Sequence, residues 1–148
     1  MFDVLVHKLF INRTLIAAVL SWLVAQLLKF LGALILEGKL DFTKLTSPGG
    51  MPSGHAAMVT AMAVSIGENS GWESNEFGLA VVFALVVMYD AAGVRQAVGK
   101  QARVLNALMR ELPRGKASIP TGLKELLGHT PVEVMAGSVL GIVFAILI

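Results

Sequence analysis

TLIAAVLSWLVAQLLKFLGALIL, residues 14–36, decides the fold class: Gln26 and Lys29 are the only strongly polar side chains in its 23 residues. At 1.5 Å per residue a helix of this length is roughly 34 Å long, enough to cross a hydrocarbon core of about 30 Å. A secretory signal peptide is the competing reading. It is disfavoured because the apolar run is long, carries a lysine near its end, and has no small-x-small cleavage site before the polar turn at Glu37.

Three more apolar segments follow, 55–67, 77–92 and 131–148, of 13, 16 and 18 residues. The first two of these are short for independent spans, so they must borrow flanking residues or end below the membrane surface. The runs are continuous and rich in Leu, Ala and Val, without the polar–apolar alternation of a membrane β-barrel. The expected fold is therefore all-α: an integral membrane helical bundle of about four transmembrane helices, in a single domain over residues 1–148. Composition agrees, with 55% hydrophobic and 15% charged residues and a mean hydropathy of +0.74, where a soluble domain carries about 25% charged residues. The net charge of +2 is no footprint for a polyanion and excludes nucleic acid as a main partner. With no cysteine, disulfides, thiolate metal sites and cysteine nucleophiles are excluded.

The few charges are unevenly placed. Lys39 and Lys44 lie in the first loop and Arg95, Lys100, Arg103, Arg110, Arg114, Lys116 and Lys124 in the third, whereas the second carries Glu68, Glu73 and Glu76 without a base. The positive-inside rule puts loops one and three in the cytoplasm and both termini outside, as in a bacterial-type plasma membrane. Residues 94–112 place Val94, Val98, Leu105, Leu108 and Leu112 among charged residues, which predicts an interfacial helix continuing from the third span. A short helical piece is predicted over 121–127, stopped by Gly128 as a C′ glycine.

The densest polar signal is SPGGMPSGHAAMV, residues 47–59. Gly49, Gly50 and Gly54 permit close backbone approach, Pro52 sets a turn, and Ser53 can cap a helix beginning beside His55. A loop with an N-cap explains this pattern without any ligand, but an ionisable residue at the mouth of a span is a functional candidate by default. Similarly, Thr130, Pro131 and Glu133 fit a capping box with a first-turn proline. Glu133 also follows His129 by four residues and can fix its imidazole. Lys29 shares a helix face with Gln26 and either snorkels to the interface or points inward at an anion. Asp90 and Arg95 form a structural pair or a guanidinium held ready for phosphate. Two histidines, a carboxylate, cations and a glycine-rich turn suit phosphoryl transfer through a histidine nucleophile. No paired histidine spacing supports a metal site, so no metal and no cofactor is expected.

MPSGH at 51–55, MYDAAGVR at 88–95, QARVLN at 101–106 and LGHTPVEV at 127–134 resemble the divergent branch of the type 2 phosphatidic acid phosphatase superfamily, related to acid phosphatases and vanadium-dependent haloperoxidases. The resemblance runs from about residue 14 to the C-terminus. It implies Ser53 and Gly54 at the phosphate, His55 as general acid, His129 as nucleophile, and Glu133 where the superfamily has the aspartate that orients it. The superfamily's K-x6-RP motif is absent, and Leu123 stands where the arginine of SR-x5-H-x3-D belongs. Arg95 is the best replacement for the missing arginine, ahead of Arg103, and Lys29 or Lys44 for the missing lysine. Lys29 is preferred because a buried ammonium requires a counter-charge.

The resemblance implies a membrane lipid-phosphate phosphatase working through a phosphohistidine, and a cytoplasmic site suits phosphatidylglycerophosphate better than an outward-facing carrier such as undecaprenyl pyrophosphate. The alternatives are a non-catalytic lipid-phosphate binder or transporter, a polyprenyl pyrophosphate phosphatase, and a purely structural membrane subunit. A homodimer would cover the ends of the short spans.

Overall fold

The computed structural model describes residues 12–38, 42, 49–111, 122–123, 125 and 128–148. Among these residues the chain is all-helical: α1 (Arg13–Glu37), α2 (Gly54–Ser70), α3 (Asn75–Tyr89), a π-helical turn (Asp90–Val94), α4 (Arg95–Glu111) and α5 (Pro131–Leu147). Each helix of the bundle begins where a short polar side chain satisfies an orphan N–H. Asn12 accepts from Leu15, Ser53 from Ala56, Ser74 from Phe77 and Thr130 from Glu133. α1 stops at Gly38, whose φ of 64° is left-handed and whose N–H donates to the Leu34 carbonyl.

α2 is the hub, packing against α1, α3 and α5, while α1 also meets α5. The surfaces that meet are built from small residues: Ala17, Ala18 and Ala25 of α1, Ala56, Ala57 and Ala61 of α2, and Gly137, Gly141 and Ala145 of α5 are all buried. A Cβ on Gly137 would run into the Ser53 carbonyl, and one on Gly141 into the Ala57 carbonyl. This is the small-residue contact that lets membrane helices approach backbone to backbone. The large side chains point the other way, with Leu23, Leu27, Leu79, Val82, Val139 and Ile146 exposed. Small residues inside and large apolar ones outside are stable in lipid and untenable in water. Arg13–Leu36 and Asn75–Arg110 are long and apolar enough to cross a membrane, with Pro131–Leu147 a shorter apolar helix.

The third span and the predicted interfacial helix are one continuous helix, joined through the π turn and running to Glu111; Leu112 lies outside the described residues. The helical piece expected over 121–127 is not seen where it is described. Gly122, Leu123 and Glu125 are not helical, because Leu123 exchanges two 2.8 Å bonds with the Asn106 side chain, which also donates to Glu125 at 3.0 Å. Thr121, Lys124 and residues 126–127 lie outside the described residues. Gly128 is required by packing and not by a left-handed C′ turn. Its φ is not positive, and a Cβ there would strike the Arg95–Gln96 backbone, so close approach of the chain to the start of α4 requires glycine.

Candidate active site

The polar groups gather at one end of the bundle. The loop before α2 turns through Gly49 and Gly50, with φ of 93° and 80°, a left-handed pair open only to glycine without strain. A Cβ on Gly50 would come to 3.6 Å from the aliphatic stem of Lys29. Ser53 then caps α2 through its side chain, its carbonyl takes the Ala57 N–H at 3.0 Å, and its own N–H donates to the Glu133 carbonyl at 2.9 Å. One residue thus ties the start of α2 to the first turn of α5.

His129 lies in the turn before α5 and is 1% exposed. Its backbone N–H donates to the Ala91 carbonyl at 2.9 Å. A π turn leaves carbonyls outside the regular i→i−4 ladder, and here one of them anchors the histidine. The side chain is held from the other side: Nδ1 is 2.9 Å from Glu133 Oε2. The same oxygen takes the Thr130 N–H at 3.3 Å while Thr130 Oγ1 takes the Glu133 N–H at 3.3 Å. Glu133 is thus both cap and orienter. A carboxylate at Nδ1 fixes the proton there and leaves the lone pair on Nε2. That Nε2 is buried and has no hydrogen-bond partner among the described residues.

The His129 turn lies outside the spanning helices. Burial pushes its imidazole below the ordinary value near 6.5, with Lys29 and Arg95 pushing the same way and Glu133 opposing them. At neutral pH the ring is therefore uncharged. His55, at the start of α2, faces it edge-on with ring centres 6.0 Å apart, and its Nε2 lies 3.4 Å from an Arg95 guanidinium nitrogen. Guanidinium has no acceptor, so His55 Nε2 accepts in this arrangement. Arg95 also donates through Nε to Asp90 Oδ2 at 2.8 Å. In an α-helix, residues five apart do not share a face; the π turn puts Asp90 and Arg95 on one. Both are solvent-accessible, so the pair contributes little to stability.

Lys29 points into the bundle. It is buried, donates to Gln26 Oε1 at 2.6 Å, and lies near enough to act on His129. His129, His55, Glu133, Lys29, Ser53, Gly54, Asp90 and Arg95 are thus brought to one end of the bundle. Lys44 lies outside the described residues. Leu123 is 49% exposed, and Arg103 is engaged with Glu125 at 3.5 Å. Sequence reasoning passed over Ala91 and Gly137 and took Gly128 for a helix stop; all three act through their backbones. The small-xxx-small spacing of Gly137 and Gly141 was the available signal.

The sequence profile of the divergent PAP2 family matches residues 10–144. The chain belongs to that family. It is also 35% identical over 152 residues to the uncharacterized membrane protein YuiD of Bacillus subtilis (strain 168), covering 95% of this chain and 96% of that protein. No solved structure matches significantly. As a divergent PAP2 protein with apolar helices long enough to span, it is a membrane protein, and its PSGH and GH-x-x-x-E segments are the ones that meet at the bundle end.

Proposed function

We propose that this divergent PAP2 protein is a lipid-phosphate phosphatase that hydrolyses phosphomonoesters through a phosphohistidine on His129. The observation that carries the reading is the state of that residue: Nδ1 is engaged by Glu133 while Nε2 is buried and has no partner among the described residues. A structural histidine in a protein interior has both ring nitrogens satisfied. A nucleophile needs one left open and one held.

The steps need no metal. The substrate phosphate takes up donors from Arg95 and Lys29 and the N–H groups at the start of α2. Arg95 is thereby drawn from His55, whose Nε2 is freed to carry a proton. His129 Nε2 attacks phosphorus, the P–O ester bond breaks, and the departing alkoxide takes its proton from His55. Water then attacks the phosphohistidine, giving its proton to His55. The N–P bond breaks to release inorganic phosphate and restore neutral His129.

Purified protein in detergent with EDTA is expected to release phosphate from lipid phosphomonoesters, phosphatidylglycerophosphate among the best, and to be inhibited by vanadate, which mimics the trigonal-bipyramidal transition state. Absence of release above background on every member of a panel, diphosphates included, defeats the reading. Leu123 in place of the superfamily's arginine favours a second one, a binder that retains the anion site without turnover. Lipid-phosphate binding with no release would establish it.

The site is assigned to the cytoplasmic side, because the basic residues flanking it cluster in the first and third loops. A cysteine at Glu73 in this cysteine-free chain is then labelled from outside the cell by an impermeant thiol reagent, and one at Arg114 only after permeabilisation. The opposite pattern inverts the orientation.

A further inference from the structure

Beside the bundle end that carries His55, Asp90 and Arg95, a groove of about 840 Å³ opens between α1, α2 and α3 and runs to Asn12 and Thr14 at the opposite end. This volume falls within the range of about 300–1,000 Å³ usual for small-molecule sites. Between its two polar ends the lining is apolar. Met58, Met62 and Ile66 of α2 make one wall, Phe83 and Val86 of α3 the other, and Leu15 of α1 stands near the far end. Several of these side chains are open to the outside, Val86 at 62% and Phe83 at 54%, so the groove can be entered sideways from a bilayer.

We infer that this groove holds one unbranched hydrocarbon chain of the lipid phosphate and measures its length. The inference rests on the phosphatase reading, which supplies the phosphate end. Three observations fix the occupant. First, among the described lining residues the guanidinium and the imidazole stand at one end, so an amphiphile fits in one direction, with its anion at Arg95 and its tail along α2. Secondly, His55 and Ile66 are eleven residues apart on one helix, roughly 16 Å, close to the half-thickness of a hydrocarbon core about 30 Å deep. Thirdly, the far end is polar: Asn12 and Thr14 line it, and Thr14 Oγ1 lies 3.1 Å from Ser65 Oγ, which also accepts from Asn69 Nδ2 at 3.2 Å. A methyl terminus gains nothing by pushing against that network, and methylenes beyond it return to the lipid. Paired methionines in the wall suit a flexible chain, because an unbranched thioether follows an irregular surface.

Turnover of n-alkyl phosphates lengthened two carbons at a time is the first arm of the test. For alkyl phosphates presented as monomers in water, below micelle formation, kcat/KM is expected to climb about threefold to fourfold per methylene that the groove takes out of water and then level off. The break falls where the chain fills the groove, at roughly a dozen carbons for a length set by eleven helical rises. Met62→Trp moves the break to shorter chains and lowers the long-to-short ratio by at least about tenfold; Val86→Trp, at the outer rim, serves if the first variant does not fold.

The second arm needs no turnover: a dodecyl phosphate with a terminal diazirine is photolysed on the full-length protein and the adducts are mapped. Adducts on Ile66 or Phe83 that Met62→Trp removes support the groove. Adducts confined to the outward residues Leu79, Val82 and Val139, or to a second copy of the chain, overturn it. Release from all chain lengths with equal kcat/KM also overturns it and leaves the phosphatase reading standing. Groove adducts with no release from any chain do the reverse. A series of prenyl phosphates separates the two sources of tail, because branched chains of equal length overfill a groove sized for one straight chain.

Discussion

His129→Ala is expected to lower phosphate release from lipid phosphomonoesters by at least about 10³-fold, to background in an ordinary assay. Among the described residues no neighbouring group is placed to substitute for it. Glu133 stays tied to the Thr130 cap, and His55, once Arg95 turns to the phosphate, is committed to the leaving oxygen. The loss should fall on kcat, since phosphate is held by the cations and the start of α2 and not by the imidazole. Wild-type pH dependence gives a second readout. A nucleophile must be unprotonated, and burial holds the His129 ring below its ordinary value near 6.5. The acid limb of kcat/KM therefore lies below pH 6.5, and activity rises with pH through it, about tenfold per unit on its steep part. Lys29 from α1, His55 from α2, Arg95 beyond α3 and Glu133 of α5 all face this ring. Removing the Lys29 charge by Lys29→Met moves the limb upward, towards the ordinary histidine value, because a cation that disfavoured protonation is gone. An acid limb above 6.5 in the wild type, or His129→Ala retaining a tenth of the activity, is incompatible with His129 as nucleophile.

What was legible in the sequence was what depends on local chemistry. Helix starts at Ser53 and Thr130 follow from side chains that satisfy their own next N–H groups, and that information is carried within four residues. The His129–Glu133 pair is equally local, and a single carboxylate serves both the cap and the ring. The membrane class follows from hydropathy alone, since lipid requires every backbone group to be satisfied inside the segment.

Long-range geometry was less legible. That Asp90 and Arg95 share a face depends on a π turn, which no periodicity of apolar residues announces. Its use is seen only when Ala91 offers its carbonyl to His129 from 38 positions away in sequence. Gly128 reads as a helix stop because glycine commonly is one, yet its role is set by the backbone of Arg95 and Gln96 lying against it. Leu123 was marked by motif spacing as the vacant place of an arginine. The fold instead brings Arg95 to His55 from a different helix. A motif records positions along one chain segment, whereas a phosphate only requires a cation within reach, from whichever element supplies it.

The dependence of the site on helix packing makes Gly137 the place where stability and chemistry meet. A Cβ at Gly137 would overlap the carbonyl oxygen of Ser53, which is backbone and cannot turn aside as a side chain could. Ser53 in turn caps α2 and donates its N–H to Glu133, so any relief of the overlap pulls apart the two helix starts that hold His55 and His129. Gly137→Ala is therefore expected to cost about 1–3 kcal/mol of stability, read as a lower unfolding midpoint in detergent, and to lower turnover well beyond what that loss of folded protein explains. Gly141→Ala meets the Ala57 carbonyl and the Ala61 N–H instead, one turn further along both helices and clear of the Ser53–Glu133 bond that joins the two helix starts. It should match the stability loss while sparing turnover of the protein that remains folded. Gly32→Ala is the control, since nothing lies within 4 Å of a Cβ there, and an alanine in mid-helix gains about 0.5–1 kcal/mol over glycine. Equal turnover in the Gly137 and Gly141 variants, at matched folded fraction, would separate the α2–α5 contact from the chemistry and leave it a packing feature alone.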